Sequence, residues 1–365
     1  MFETIKEFFN PNGNPDLTKA HEFQRKNLPT LWLLGKTGAG KSSLIQAITN
    51  LSSVEVGNGF EPCTMTASKY DFPQERPIMR FMDTRGLGEA DYNPKEDLDK
   101  LGDTCHALVI VMKVDEPEQS AVVNALKKIK KQKKIKKLLV VNTAVLTASE
   151  KERERQVAFN QQKIKDVWDE NVESVIVDFE ADDGSIYNYD LLIDKLASIL
   201  PIINVMVEDK EHSAKESKNF DKLKNEVLWY CGSASTSDLF PGVGLVSVPA
   251  IQAKMLHSLA NQYEVEWNMQ TFSELIGTLG SSFAIQYSVK LGARQLVKFV
   301  PVWGQTVGAL GAAAMSFGTT YGLGRVACYY FYHKSRGEEV SEQEMQDLYR
   351  DAMKKGKVAS GYESD

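Results

Sequence analysis

The chain has 365 residues, of which 42% are hydrophobic and 25% charged, with a net charge of −6; this length allows two domains, each with its own core. A negative balance argues against a generic nucleic-acid binder. Cys63, Cys105, Cys231 and Cys328 lie far apart with no C-x-x-C spacing, so neither a disulfide framework nor a zinc site is suggested, and a reducing cytoplasm fits best.

The first residues, MFETIKEFF, carry acids early and lack a basic region followed by an apolar core, so they do not read as a secretory signal. Phe2 excludes N-myristoylation. Residues 1–27 read as an arm with a short amphipathic helix. Leu31 to Asn50 then runs as an apolar strand, a glycine-rich turn and an amphipathic helix. The turn is Gly35-Lys36-Thr37-Gly38-Ala39-Gly40-Lys41-Ser42, followed by Ser43. It satisfies G-x-x-x-x-G-K-[ST] in the strand-to-helix context that the motif requires. Glycines let the backbone fold into a nest of inward N–H groups, and the following helix aims its positive end at the same point. The expected ligand is a polyphosphate, with Lys41 reaching its β- and γ-phosphates and Ser42 taking one Mg²⁺ coordination position.

Further along, Met79 to Gly86 reads as a strand ending in Asp83-Thr84-Arg85-Gly86, a D-x-x-G. A carboxylate at a strand tip can hold Mg²⁺, here through water, and the N–H of Gly86 can meet a γ-phosphate. Strands are predicted at Leu31–Leu34, Pro77–Asp83, Ala107–Val114, Leu138–Asn142 and Ser174–Asp178, with helical segments between several of them. Such alternation implies an α/β unit with a mostly parallel sheet and helices on both faces. Binding sites in such sheets lie beyond the strand C-termini. The run Lys127–Lys137, KKIKKQKKIKK, reads as the exposed face of a helix plus a loop; attraction to anionic lipid or RNA is the other reading.

The predicted boundaries are 28–203 for the α/β unit, 204–227 for a linker or exposed helix, 228–335 for an all-α, Gly/Ala-rich domain and 336–365 for a polar tail or helix. Phe299 to Gly324 contains no charged side chain. Its length would permit a bilayer span, but Pro301, Gln305 and the glycines make it a poor one. The pairs Gly304/Gly308 and Gly318/Gly322 permit close helix contact in lipid or in a packed bundle, and both remain open. Leu239–Ile251 is a candidate packing partner.

The motifs GKTGAGKSS, EPCTMTASKY and DTRGLGE, in this order, resemble the Era-like and septin-like GTPases of the translation-factor class, over roughly residues 28–200. The resemblance implies a P-loop NTPase G domain that binds GTP and GDP with Mg²⁺. It also implies a threonine that closes the metal shell when the γ-phosphate is present, Thr64 with Thr66 in reserve. Lys41, Thr64 and Gly86 are then the catalytic candidates, and Ser42, Thr64 and Asp83 the metal ligands. The stretches FPGVGLVSVPAIQAKMLHSLANQY and VPVWGQTVGALGAAAMSFGTTYGLGRVACYYF resemble the C-terminal domain of YcjF-type inner-membrane proteins.

Two departures stand out against that pattern. A guanine-reading motif is normally Asn-Lys-x-Asp after a strand; here Asn142-Thr143-Ala144-Val145 keeps Asn142, and Val145 cannot accept the guanine hydrogen bonds. Asn142 and Thr143 are still expected to border the nucleotide, with Asp178, Asp182 and Asp183 as alternative acceptors. Leu87 follows Gly86 where a water-orienting glutamine would stand. Water must therefore be positioned by Thr64, Arg85, Glu89, an activating partner or a facing second G domain, and slow turnover is expected. The five histidines, His21, His106, His212, His257 and His333, show no metal-ligand spacing. The sequence is thus read as a slow nucleotide switch, cytoplasmic or peripheral at the inner face of a membrane. Lipid binding through 239–332 and a homodimer through G domains are open partner expectations. The competing readings are a dimerising scaffold with little hydrolysis and an RNA or ribosome-assembly GTPase.

Overall fold

The computed structural model describes residues 15–52, 61–62, 67–84, 106–131, 135, 137–168, 172–181, 184–207, 215–239, 248–280 and 309–362. The chain divides into two compact units: Asn27–Val207, and a second formed by Met1–Lys26 with Glu208–Asp365.

The first unit holds a seven-stranded sheet in the order β2-β3-β4-β1-β5-β6-β7. Its strands are β1 (Thr30–Leu34), β2 (Glu61–Pro62), β3 (Ala67–Phe72), β4 (Met79–Thr84), β5 (His106–Lys113), β6 (Lys137–Thr143) and β7 (Glu173–Ile176). β4, β1, β5, β6 and β7 run parallel, while β3 is antiparallel to β4 and β2 to β3. The five strands predicted from apolar runs are the parallel ones. β2 and β3 went unpredicted because Ala67-Ser68-Lys69-Tyr70-Asp71-Phe72 alternates polar and apolar residues, the signature of a strand with one wet face.

α1 (Pro15–Lys26) belongs to the second unit. In the first lie α2 (Lys41–Thr49), α3 (Ser120–Lys131), α4 (Glu150–Trp168), α5 (Tyr189–Ile199) and the short α6 (Ile202–Met206). One face of the sheet packs Trp32, Leu34, Ile110 and Met112 against Val122, Leu126 and Ile129 of α3 and Ile164 and Trp168 of α4. The lysine-rich run supplies the end of α3: Ile129 is buried while Lys127 and Lys131 are exposed, so its apolar positions anchor a solvated basic face.

The second unit is helical, with α7 (Lys215–Leu239), α8 (Val248–Gln262), α9 (Met269–Thr278), α10 (Ala309–Lys334) and α11 (Glu342–Ala359). α10 is its axis, packed against α7, α8 and α11, while α1 packs on α7. The last part of the Gly/Ala-rich segment, 309–324, is the first half of α10, buried at Ala313, Ala314, Phe317, Gly318 and Thr320–Gly324 and exposed at Leu310 and Met315; 299–308 lies outside the described residues. Its glycines are spaced for contact. A Cβ on Gly318 would stand 2.8 Å from the Met353 carbonyl oxygen, and one on Gly322 3.0 Å from the Tyr349 ring. On another face of α10, a Cβ on Gly324 would meet Val227 of α7 at 2.4 Å. Among the described residues no helix is long and apolar enough to cross a membrane.

Two segments outside the apolar stretches are helical and partly buried. The stretch read as a linker or exposed helix supplies the first half of α7, with Phe220, Val227 and even Glu216 and Lys224 buried. Its charges are hidden by partners that local pattern cannot reveal: Arg325 grips Glu216 through two bonds of 2.6 and 2.8 Å, and Lys224 pairs with Asp221. The segment read as a polar tail or helix is helical over α11, whose Met345, Ala352, Gly356 and Ala359 are buried.

Candidate functional site

The turn after β1 closes into a cup because three of its positions tolerate no ordinary side chain. Gly35 lies so near β5 that a Cβ there would stand 2.5 Å from the Val111 carbonyl oxygen. Gly38 and Gly40 have φ of 77° and 98°, the left-handed region that glycine enters without strain. Gly40 is also the residue on which α2 begins, so the first N–H groups of that helix open at the cup. Ala39 is buried, while Thr37, Gly38 and Ser42 are exposed and Ser43 is half-buried.

Lys41 folds its ammonium back over the cup, donating to the Gly35 carbonyl at 2.7 Å and the Lys36 carbonyl at 3.0 Å. The same nitrogen lies 3.6 Å from Asp83 Oδ1 at the tip of β4. Parallel pairing places that carboxylate beside β1, with Asp83 in register with Leu33, and Thr84 donates to the Leu33 carbonyl at 2.8 Å. A cation, a carboxylate and helix N–H groups thus converge beyond the C-terminal ends of adjacent parallel strands, where α/β sheets bind ligands. Lys36 points elsewhere, bonding Glu116 at 2.9 Å and the Glu118 carbonyl at 3.1 Å, and so ties the cup to the loop after β5.

Of the residues expected at the site, Gly35 to Ser43 and Asp83 are brought together. Thr64, its reserve Thr66, and Arg85, Gly86, Leu87, Glu89, Asp182 and Asp183 lie outside the described residues.

The register after β6 differs from the expectation. Thr143 is the strand's last residue, and its hydroxyl donates to the Ala39 carbonyl of the cup at 2.8 Å. Successive strand side chains face opposite ways. Asn142 accordingly turns from the cup and accepts from Asn160 of α4 at 3.0 Å, fully buried. Of the two residues expected to border the nucleotide, Thr143 is therefore the one tied to the cup, and the position three residues beyond this tether is Leu146, not Val145. Val145 is buried and Leu146 is 46% exposed. Asp178, expected as an alternative base acceptor, is only 6% exposed. Its carboxylate accepts from the Leu146 N–H at 2.9 Å and the Glu180 N–H at 3.1 Å. Neither the tether nor this loop staple had a signal in the sequence beyond the presence of Thr143 and Asp178.

Residues 30–143 match the model of the family described as 50S ribosome-binding GTPase. This segment has the fold of a P-loop GTPase G domain. Its fold is similar to the bacterial selenocysteine-specific elongation factor EF-Sec, at a TM-score of 0.35 and 18% identity over 50% of this chain and 30% of that one. It is also similar to translation elongation factor SelB from Methanococcus maripaludis in complex with the GTP analogue GppNHp, at 0.31 and 14% over 47% and 34%. The chain spans about a third of the length of these structures.

Proposed function

We propose that this chain is a Mg²⁺-dependent GTPase of the Era-like and septin-like kind, with slow intrinsic turnover, whose nucleotide state acts on a YcjF-type helical unit. The observation that carries the reading is the convergence of the Lys41 ammonium on the cup carbonyls with the Asp83 carboxylate 3.6 Å away. In this reading Lys41 exchanges its bonds to the Gly35 and Lys36 carbonyls for bonds to β- and γ-phosphate oxygens, stronger because both partners are charged. The N–H groups at the start of α2 take the remaining phosphate charge.

The donor set fits Mg²⁺, a hard cation that takes carboxylate and hydroxyl oxygens. Ser42 and Asp83 would hold the metal, with Thr64 completing the set. When bound, Mg²⁺ neutralises charge on the β- and γ-phosphates.

The switch reading is supported by chain order. Only Asn27, Leu28 and Pro29 separate α1, which packs in the helical unit, from β1, which leads into the cup. The chain thus attaches the G domain to helical segments at both its ends.

The experiment is multiple-turnover phosphate release from GTP by the full chain with Mg²⁺, beside Lys41→Ala and Asp83→Asn. Slow turnover lost in both variants is expected. Tight GTP binding without turnover would replace the switch by a dimerising scaffold, and GTP binding unchanged in Lys41→Ala would defeat the reading altogether.

A further inference from the structure

We propose that the site accepts guanine and adenine nucleoside triphosphates with little discrimination, gripping the phosphates in the cup and the base against the ring of Phe179; this rests on the nucleotide-binding reading above. Guanine differs from adenine in offering two adjacent donors, N1–H and the 2-amino group, beside an O6 acceptor, and a carboxylate aimed at the two donors is the strong selector for it. Tethering through Thr143 places Leu146 where such a carboxylate would stand, and a leucine side chain accepts nothing.

Among the described residues, the neighbouring carboxylate of Asp178 and hydroxyl of Thr147 are engaged within the chain. Asn142 is buried against Asn160. Asp178 holds the backbone N–H groups of Leu146 and Glu180, one on each oxygen. Thr147 donates to the Ala144 carbonyl at 2.7 Å. Glu180 is the other described carboxylate of the loop after β7, and it is exposed; water satisfies it equally well with either base present, so it separates the two weakly.

What the loop after β7 does offer is an aromatic surface. The Phe179 ring is half-buried and stands against the cup, since a Cβ on Gly40 would lie 3.4 Å from its Cε2 and 3.3 Å from the Thr143 methyl. A π-face stacks on every base, which gives affinity without choice. The exposed Leu146 extends the same apolar border.

The test is equilibrium binding of fluorescent methylanthraniloyl-GTP and its ATP counterpart to the full chain with Mg²⁺, with unlabelled GTP and ATP as competitors. GTP and ATP dissociation constants within about tenfold of each other are expected, because among the described residues no buried carboxylate is left unpaired by the wrong base; a larger preference for GTP overturns the inference. Phe179→Ala should weaken both nucleotides by a similar factor, roughly tenfold, with thermal unfolding checked against the parent. A loss confined to one nucleotide, or none, removes the ring from the site. Leu146→Asp should create a preference for GTP beyond about tenfold by supplying the missing acceptor, and no change in preference counts against the Thr143 register. Lys41→Ala separates the two readings: binding of both nucleotides retained there defeats the phosphate cup, whereas binding lost there together with a strong GTP preference in the parent defeats only the base inference.

Discussion

Gly318 of α10 and Gly356 of α11 approach so closely that a Cβ on Gly356 would lie 3.1 Å from the Gly318 Cα and 2.8 Å from the Tyr321 Cβ. The two helices use absent side chains to bring backbones together, the same geometry that small-xxx-small pairs give in membranes. Gly356→Ala should therefore overpack the helical unit and destabilise it by about 1–3 kcal/mol. Gly277→Ala on α9 is the control, because no described atom lies within 4 Å of its Cβ position, and there the helix propensity of alanine should stabilise by about 0.5–1 kcal/mol. Thermal unfolding of both variants reads the opposite signs; equal effects would mean that the α10–α11 contact is looser than described.

The residues at 142 and 143 should separate cleanly by readout. Asn142→Ala removes a buried bond to Asn160 and should lower the unfolding free energy of the G domain by about 1–3 kcal/mol, with nucleotide affinity little changed. Thr143→Val keeps shape and loses the bond to the Ala39 carbonyl; it should weaken GTP binding several-fold, the equivalent of about 1 kcal/mol, since the cup loses its tie to β6. Calorimetric binding and urea unfolding on the same two variants test the register. The reverse pattern would restore Asn142 to the nucleotide.

This pair also marks where the sequence stops being informative. The cup after β1 was legible because its glycines, lysine and serine stand close together in the chain and answer to local backbone geometry at Gly35, Gly38 and Gly40. The parallel strands were legible because burial on both faces makes them continuous apolar runs, as in Ala107–Val114. β3 escaped because Ser68, Lys69 and Asp71 interrupt its apolar positions. The exchange of Asn142 for Thr143 escaped because which side chain faces the cup depends on where β6 ends, and a one-residue shift inverts every side chain. α7 was misread because Glu216 and Arg325 are partners 109 positions apart.

The Glu216–Arg325 pair sits almost wholly out of solvent, with side-chain exposures of 9% and 13%, and the guanidinium also lies 4.6 Å from the Phe220 ring centroid. Removing one partner strands the other. Glu216→Gln should destabilise the helical unit by roughly 3–5 kcal/mol. The double replacement Glu216→Leu with Arg325→Met should recover most of that loss, because it removes both desolvation costs together. Chemical unfolding of the single and double variants decides it, and a double variant as unstable as the single one would assign the effect to packing around Phe220.

Glu274 joins α9 to α10 and gives the helical unit a pH dependence. Its carboxylate accepts from Lys334 and, at 2.7 Å, from Tyr330 of α10, and from Gln270 at 2.9 Å. These bonds, Lys334 foremost, hold its pKa at about 2 rather than 4.5. A carboxyl depressed by folding contributes stability above its unfolded pKa and loses it as the pH falls through the folded value. The contribution is therefore full at pH 7, shrinks below about 4.5 and is gone near 2. Because Glu274 is 39% exposed, solvent screening should hold the effect below about 1 kcal/mol. Comparing the thermal midpoints of the parent and Glu274→Gln should show the parent ahead at pH 7 and the gap closing at pH 3. A gap independent of pH would mean that the glutamine keeps the Tyr330 and Lys334 bonds and that the charge does not contribute.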